Sequence, residues 1–399
     1  MHRDFDADSL RLHAEHVGKL DVTPNCRIED SDDLSTVYTP GVAAPCREIA
    51  AHPDDVYTYT IKARTIAVVS NGTAVLGLGD IGPHAALPVM EGKCALFKRF
   101  GGIDAFPICI DARTPDEVVA AVAAIAPSFG GINLEDIKSP DCFAIEKRLE
   151  EQLDIPVFHD DQHGTAIIVT AALENALAVV GKRLSDVRIV ENGTGAAGTA
   201  IIKMLVAAGA TDVTGIDSKG AIYEGRAGLN AYKAELAALT NPRKVTGGLT
   251  QAIAGADVFI GTSVPGVLTP DMVRSMAADP VVFAMANPTP EIMYDEAKAA
   301  GAAVVATGRS DMPNQVNNLL AFPGIFAGAL AVRARDIDTP MKLAAAHAIA
   351  ALVGDEERNA EYIVPSALEP RVVAAVRRAV AEAAVASGSA REPGGLAEL

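Results

Sequence analysis

Apolar positions in this chain fall into two kinds of run. Short runs rich in Val, Ile and Ala end at Gly, Asn or Asp, and longer Ala-rich runs lie between them. A short continuous apolar run bounded by turn residues predicts a buried strand, and a longer periodic one a helix. TIAVVSNG (Thr65 to Gly72), AFPICID (Ala105 to Asp111), GGINLEDI (Gly130 to Ile137) and IPVFHDD (Ile155 to Asp161) predict strands. PVMEGKCALFKRFGG, between the first two, predicts a helix ending at Gly101. Thr114 starts another helix. It can cap free N–H groups, Pro115 suits the first helical position, and Glu117 completes a reciprocal cap. This helix runs through VVAAVAAIA and stops near Pro127.

GTAIIVTAALENALAVVG predicts a long apolar helix, and a domain boundary falls at its start, near residue 163. Beyond it, VRIVENG, VTGID, ADVFIGTS, VVFAMANP and AAVVATG predict strands, with a helix over TAIIKMLVAAG and another opened by Thr269-Pro270. From Thr339 the chain reads as helical, and SGSAREPGGLAEL reads as a frayed end. Strands alternating with helices imply an α/β fold. The expected division is an N-terminal α/β domain over residues 1–162 and a doubly wound domain with C-terminal helices over 163–399. No internal repeat is evident.

Composition narrows the function. The 399 residues are 49% hydrophobic, which excludes a mainly disordered chain. Lys+Arg 34 against Asp+Glu 51 gives a formal net charge of −17, a poor basis for gripping nucleic acid or anionic lipid. An anionic substrate would need local positive charge against that global field. Five scattered cysteines without a CxxC pair indicate neither a disulfide framework nor a zinc knuckle. The N-terminal stretch lacks an apolar secretory core, and AAVAAIA (Ala120 to Ala126) is too short to span a bilayer. A cytoplasmic protein is the expectation.

One turn carries specific chemistry. Gly193-Thr194-Gly195-Ala196-Ala197-Gly198 fits G-x-G-x-x-G, with an apolar strand before it and an apolar helix after it. The first glycine permits the tight turn, the second admits a pyrophosphate against backbone, and the third lets helix and strand pack closely. Free N–H groups and the helix dipole then face the phosphates. Asp217, 19 residues after Gly198, ends the next strand where a carboxylate holds ribose hydroxyls. The doubly wound domain thus reads as a Rossmann-type dinucleotide-binding domain. The choice between NAD and NADP stays open. Asp217 repels a 2′-phosphate, while Ser218 and Lys219 offer it partners.

Glu135-Asp136 and Asp160-Asp161 each close an apolar run, and ligands of α/β sheets bind at the carboxyl ends of strands. Carboxylates gathered on one rim repel each other unless a divalent cation lies between them, and oxygen ligands favour Mg²⁺ or Mn²⁺ over zinc. His159 and His163 flank the second pair and read as structural rather than as ligands. Lys93 lies on an apolar helix, where a desolvated lysine has a lowered pKa and can act as a base. Read from this segment alone, it is by default a snorkelling surface lysine. Lys98 and Arg99 read as plain surface charge. Tyr38, before Thr39-Pro40-Gly41, is a candidate proton donor. Asn287, Asn317 and Asn318 are candidates to orient a carboxylate or a nicotinamide ring.

VYTPGVAAPC, VLGLGDIGP, EGKCALFKRFGGIDAFPICID, INLEDI, VFHDDQHGTA, GTGAAG, ANPTPE and NQVNNLLAFPG together resemble malic enzyme, the oxidative decarboxylase of malate, in its short bacterial form. The resemblance runs from about Tyr38 to Ile325. It implies Tyr38 as general acid, Lys93 as general base and Asp160 as the neighbour that tunes Lys93. It implies Glu135, Asp136 and Asp161 as metal ligands, and the glycine turn with Asp217 as the dinucleotide site. Asn287 would contact nicotinamide and substrate, and Asn317 with Asn318 the substrate carboxylate. The implied ligands are malate and pyruvate, the implied cofactors NAD or NADP with Mg²⁺ or Mn²⁺, and the implied assembly a homodimer. Larger family members carry an arginine shortly before LGLGD, where this chain has Thr73, so the cationic partner of that carboxylate is unassigned. Malolactic-type decarboxylation to lactate, an amino-acid dehydrogenase of similar plan, and a dinucleotide-sensing regulator are the competing readings.

Overall fold

The computed structural model describes residues 4–399. Among them, two sheets form. The first contains β1 (Thr65–Ser70), β2 (Asp104–Cys109), β3 (Gly131–Leu134) and β4 (Val157–His159), all parallel in the order β2-β1-β3-β4. The second contains β5 (Arg188–Asn192), β6 (Asp212–Asp217), β7 (Gly220–Ala221), β8 (Val258–Gly261), β9 (Val281–Ala284) and β10 (Val304–Thr307). Its order is β10-β9-β8-β5-β6-β7, parallel except for β7 against β6. Every apolar run read as a strand forms one. The hairpin strand β7 escaped because two residues carry no periodicity. The chain winds outward from β5 in both directions, so the crevice beside β5 and β8 is where a ligand of such a sheet belongs.

The helix Asp160–Val179 begins three residues before the expected boundary. Asp160 and Asp161 form its first turn rather than a strand end, and acidic side chains are favourable at a helix N-terminus. The helix is buried on nearly every face because it packs against both Ala196–Ala207 and Thr339–Ala350. The reciprocal cap at Thr114 and Glu117 forms as expected, opening the helix Pro115–Ile125. The helix bearing Lys93 spans Gly82–Leu96, so Pro88 lies inside it, and a π-helical turn over Phe97–Gly101 continues it. Lys19 Nζ takes the carbonyl of Pro88 at 2.7 Å.

The C-terminal segment differs from its expected frayed state. The Arg391 and Glu392 amides bond the Val332 carbonyl at 3.2 and 3.0 Å, and Leu396 and Leu399 pack on the core. The N-terminal segment is the opposite case. From Asp4 to Ile61 no residue is buried, and Leu10, Val17, Val22, Leu34 and Tyr38 are exposed. No helix among the described residues is long and apolar enough to cross a membrane.

An aromatic cluster ties the helix Phe322–Ala331 to the first sheet. Phe326 stands edge-on to Phe97 at 5.4 Å and to Phe158 at 5.8 Å, all three fully buried. Gly131 on β3 makes room for that ring, since a Cβ there would come 3.1 Å from it. Phe326→Ala is therefore expected to lower unfolding free energy by about 3–5 kcal/mol, read from urea denaturation.

Candidate active site

A cavity of about 800 Å³ opens between the two sheets. One wall carries Lys93, Glu135, Asp136 and Asp161, and the other Ala196, Ala197, Thr262 and Ser263, with Asn287, Asn317 and Asn318 between them. Parallel sheets whose strands all end towards one rim produce this arrangement. β3 ends at Leu134 and delivers Glu135-Asp136, β4 ends at His159 and delivers Asp160-Asp161 through the helix that follows, and β5 delivers the glycine turn.

Lys93 is the centre of the acidic wall. Its Nζ lies 2.5 Å from Asp160 Oδ2 and 3.0 Å from Glu135 Oε1, with all three side chains buried. The ring of Phe322 covers it at 4.0 Å. Asn318 Nδ2 also donates to Asp160 Oδ2, so this asparagine braces the ion pair. The expectation of a lowered lysine pKa is corrected here. Burial pulls the amine down, but the carboxylates of Asp160 and Glu135 outweigh it and hold Lys93 above its ordinary range.

The two acidic pairs touch. The Asp136 N–H donates to Asp161 Oδ2 at 2.8 Å, across the strand ends. Asp136 adopts a left-handed conformation (φ 55°), which turns the chain sharply after β3. Burial, reinforced by Asp161, pushes the Asp136 carboxyl up to about 7, and burial pushes Glu135 up against the opposing pull of Lys93. Asp136 Oδ2 is buried and has no hydrogen-bond partner. Four carboxylates facing one ammonium leave uncompensated negative charge. An orphaned carboxylate oxygen among all-oxygen donors suits a hard divalent cation in kind, while the carboxylate oxygens of Glu135, Asp136 and Asp161 do not all lie within 4.8 Å of one another.

His163 stands apart from this set, whereas His159 adjoins it. His163 Nε2 lies 2.9 Å from Glu146 Oε1 and faces a separate cavity of about 480 Å³, while His159 Nε2 is 3.8 Å from Asp161 Oδ2.

The dinucleotide turn has the geometry its sequence requires. Gly193 sits at φ 130°, and a Cβ there would come 2.5 Å from the Thr262 carbonyl oxygen. Ala196 opens the helix Ala196–Ala207 with Gly195 as its cap residue. Thr194 is buried in the turn beside Gly215.

Asp217 is not free to hold a ribose. Its Oδ1 accepts from the Lys219 N–H and Arg226 Nη1, both at 2.9 Å, and its Oδ2 from Arg226 Nη2 at 2.5 Å and Lys233 Nζ at 2.6 Å. These bonds fill the four acceptor sites of a carboxylate. Burial raises its pKa, but the bonds from Arg226, Lys233 and Lys219 outweigh that and hold it far below the usual range. Arg226 and Lys233 lie 9 and 16 residues downstream with no motif to flag them.

Two further expectations are relocated. Tyr38 ends the helix Ser31–Val37, is 68% exposed, and does not line the cavity. Thr73 is buried, donates to Asn71 Oδ1 at 2.7 Å and accepts from the Lys138 N–H at 3.0 Å, so it offers a substrate nothing. Among the lining residues Lys93 is the one cation. Phe322, Thr262 and Ser263 also belong to the site, and no sequence signal marks them, since an aromatic or hydroxyl residue carries no motif of its own.

Comparison with known proteins agrees with this geometry. The family models "Malic enzyme, N-terminal domain" and "Malic enzyme, NAD binding domain" match residues 18–150 and 162–386. A bifunctional malic/malolactic enzyme of Bacillus subtilis is 55% identical over 385 residues, 96% of this chain and 94% of the relative. An NAD-dependent malic enzyme of Geobacillus stearothermophilus is 57% identical over 385 residues, 96% of this chain and 80% of the relative. A crystal structure of malic enzyme from Pyrococcus horikoshii superposes with a TM-score of 0.94 at 49% identity, covering 99% of this chain and 94% of that one. Two family models over residues 18–150 and 162–386, with relatives more than half identical along nearly the whole chain, place this protein in the malic enzyme family.

Proposed function

We propose that this chain oxidatively decarboxylates malate to pyruvate and CO₂ while reducing NAD or NADP, as a cytoplasmic homodimer using Mg²⁺ or Mn²⁺. The observation that carries the reading is Lys93, buried against Asp160 and Glu135, on the wall facing the dinucleotide turn. Residues 1–162 form the catalytic domain and 163–399 the NAD(P)-binding domain with its C-terminal helices. Five unpaired cysteines suit a reducing compartment.

Lys93, once its proton is lost, would take the C2 hydroxyl proton of malate, and a bound nicotinamide would supply the hydride acceptor for oxidation to oxaloacetate. Asp160, braced by Asn318, sets the position of the amine. The far carboxylate then leaves as CO₂ and the remaining enolate is protonated at C3. Glu135, Asp136 and Asp161 would hold a divalent cation, which would supply positive charge to offset these carboxylates and a developing oxyanion and so would weaken the field that keeps Lys93 protonated. Asn317 has its Oδ1 committed to the Leu319 N–H at 2.9 Å, leaving its Nδ2 to donate to the substrate carboxylate. Asn287, on the cavity wall, would orient a bound nicotinamide ring and the substrate.

The dimer and the proton donor are one question. An N-terminal segment without a buried residue and with many exposed apolar side chains is what a subunit interface looks like when one copy is viewed alone. Tyr38 lies on that segment, away from the cavity of its own chain. The reading that unites these facts is that Tyr38 of a second copy completes the site.

The Bacillus subtilis relative is named as bifunctional, so malolactic turnover is the second reading. It retains the cofactor and releases lactate.

Incubation with malate and Mn²⁺ is expected to yield CO₂, pyruvate and reduced cofactor, all abolished by EDTA. Lys93→Ala is expected to lose at least about a hundredfold in kcat while keeping dinucleotide affinity. Lactate without reduced cofactor would favour the second reading, and unchanged kcat would remove Lys93 from the chemistry. Mixing the inactive variants Tyr38→Phe and Lys93→Ala is expected to restore activity, because one site of each mixed dimer then holds both intact residues. A tyrosine acting within its own chain gives no restoration. Arg226→Ala, which frees acceptor sites on Asp217, is expected to shift the NAD over NADP ratio of kcat/KM about tenfold towards NAD.

A further inference from the structure

Two buried carboxylates lie beneath the glycine turn, and the reaction uses neither. Glu191 on β5 and Glu291 in the segment after β9 are both 0% exposed. Their surroundings differ. Glu291 receives the Ser263 N–H at 2.8 Å, the Ala286 N–H at 3.0 Å and the Ser263 hydroxyl at 3.3 Å. Among the described residues, Glu191 meets no N–H and no cation. Its Oε1 lies 2.7 Å from Thr262 Oγ1, and its Oε2 has no partner.

Thr262 Oγ1 also lies 2.9 Å from the Gly193 carbonyl oxygen. A threonine hydroxyl has one proton to donate. Facing two acceptors, it satisfies one and leaves an oxygen–oxygen contact at the other. The contact becomes a hydrogen bond only if one of the two oxygens brings a proton of its own. A backbone carbonyl has none, and a carboxylic acid has one.

We propose that Glu191 is a positioning residue for the dinucleotide: as an uncharged acid it donates to Thr262 Oγ1, which donates to the Gly193 carbonyl and pins the glycine turn. Burial raises the Glu191 carboxyl well above its ordinary range, and Glu291, the titratable neighbour acting on it, pushes the same way. The Gly195 N–H reaches the same Gly193 carbonyl at 2.7 Å, so the carbonyl is held from two sides. The third glycine of the turn admits the relay. A Cβ on Gly198 would come 2.7 Å from Glu191 Oε1 and 2.9 Å from Thr262 Oγ1. Thr262 itself lines the cavity wall shared with Ala196 and Ala197.

The inference rests on the glycine turn being the dinucleotide site, and its test separates the two. The infrared spectrum of the whole enzyme in D₂O at neutral pH is expected to show a protonated-carboxyl band that Glu191→Gln removes, with or without dinucleotide. In parallel, NADH and NADPH affinities are measured by fluorescence from neutral to alkaline pH. Wild type is expected to weaken on the alkaline side, where an ionised Glu191 and the carbonyl compete for one proton. Glu191→Gln supplies an N–H donor that does not titrate. It is expected to keep wild-type affinity within about twofold and to lose that pH dependence. Glu191→Ala is expected to weaken binding about tenfold, leaving the KM for malate unchanged. An unaltered band in Glu191→Gln, or a loss of affinity in that variant as large as in Glu191→Ala, overturns the proposal. Should Glu191→Ala not fold, the glutamine variant and the spectrum still decide. A wild type that binds neither dinucleotide refutes the functional reading instead, and the band still tests the proton.

Discussion

Burying Lys93 against Asp160 and Glu135 fixes where three separate elements must meet. An ammonium removed from water is tolerated only with charge partners in good geometry. Here one partner comes from the helix after β4 and the other from the end of β3, while the lysine comes from the helix after β1. Phe322, from a helix near the far end of the sequence, covers the pair and keeps water away. The aromatic cluster around Phe326 is the apolar counterpart, holding that distant helix where the lid is required. Chemistry and fold thus share one set of contacts.

The same reasoning explains why the acidic wall is poised rather than settled. Lys93 answers part of the charge of four neighbouring carboxylates, and the Asp136 Oδ2 atom is left without a partner. A core built for stability alone would avoid such an atom. Sites that bind a cation keep it. On the dinucleotide side the pattern is reversed, since every acceptor of Asp217 is filled from within the chain. Asp217 therefore sits inside a closed ion cluster rather than standing as a bare carboxylate.

The fold was legible because parallel strands buried on both faces are continuous apolar runs, and nine of them stand out between turn residues. Glu135-Asp136 and the glycine turn were legible because strand ends of this fold class are where ligands bind. The start of the helix at Asp160 was not, since an acidic pair is equally at home at a strand end and in a first helical turn. The charge state of Lys93 was illegible for a deeper reason. Burial and ion pairing move a lysine pKa in opposite directions, and only geometry says which wins. Tyr38 shows a different limit. A motif identifies a residue type, but not whether its own chain brings that residue to the cavity.

The long helix Asp160–Val179 is both a site element and a packing element. Its first turn holds Asp160 and Asp161, and its body is clamped among the helices of the second sheet. Lys93, Glu135 and Asp136 follow strands of the first sheet, and Asp160 follows β4 of that same sheet directly. One helix thus registers the acidic rim of the first sheet against the packing of the second.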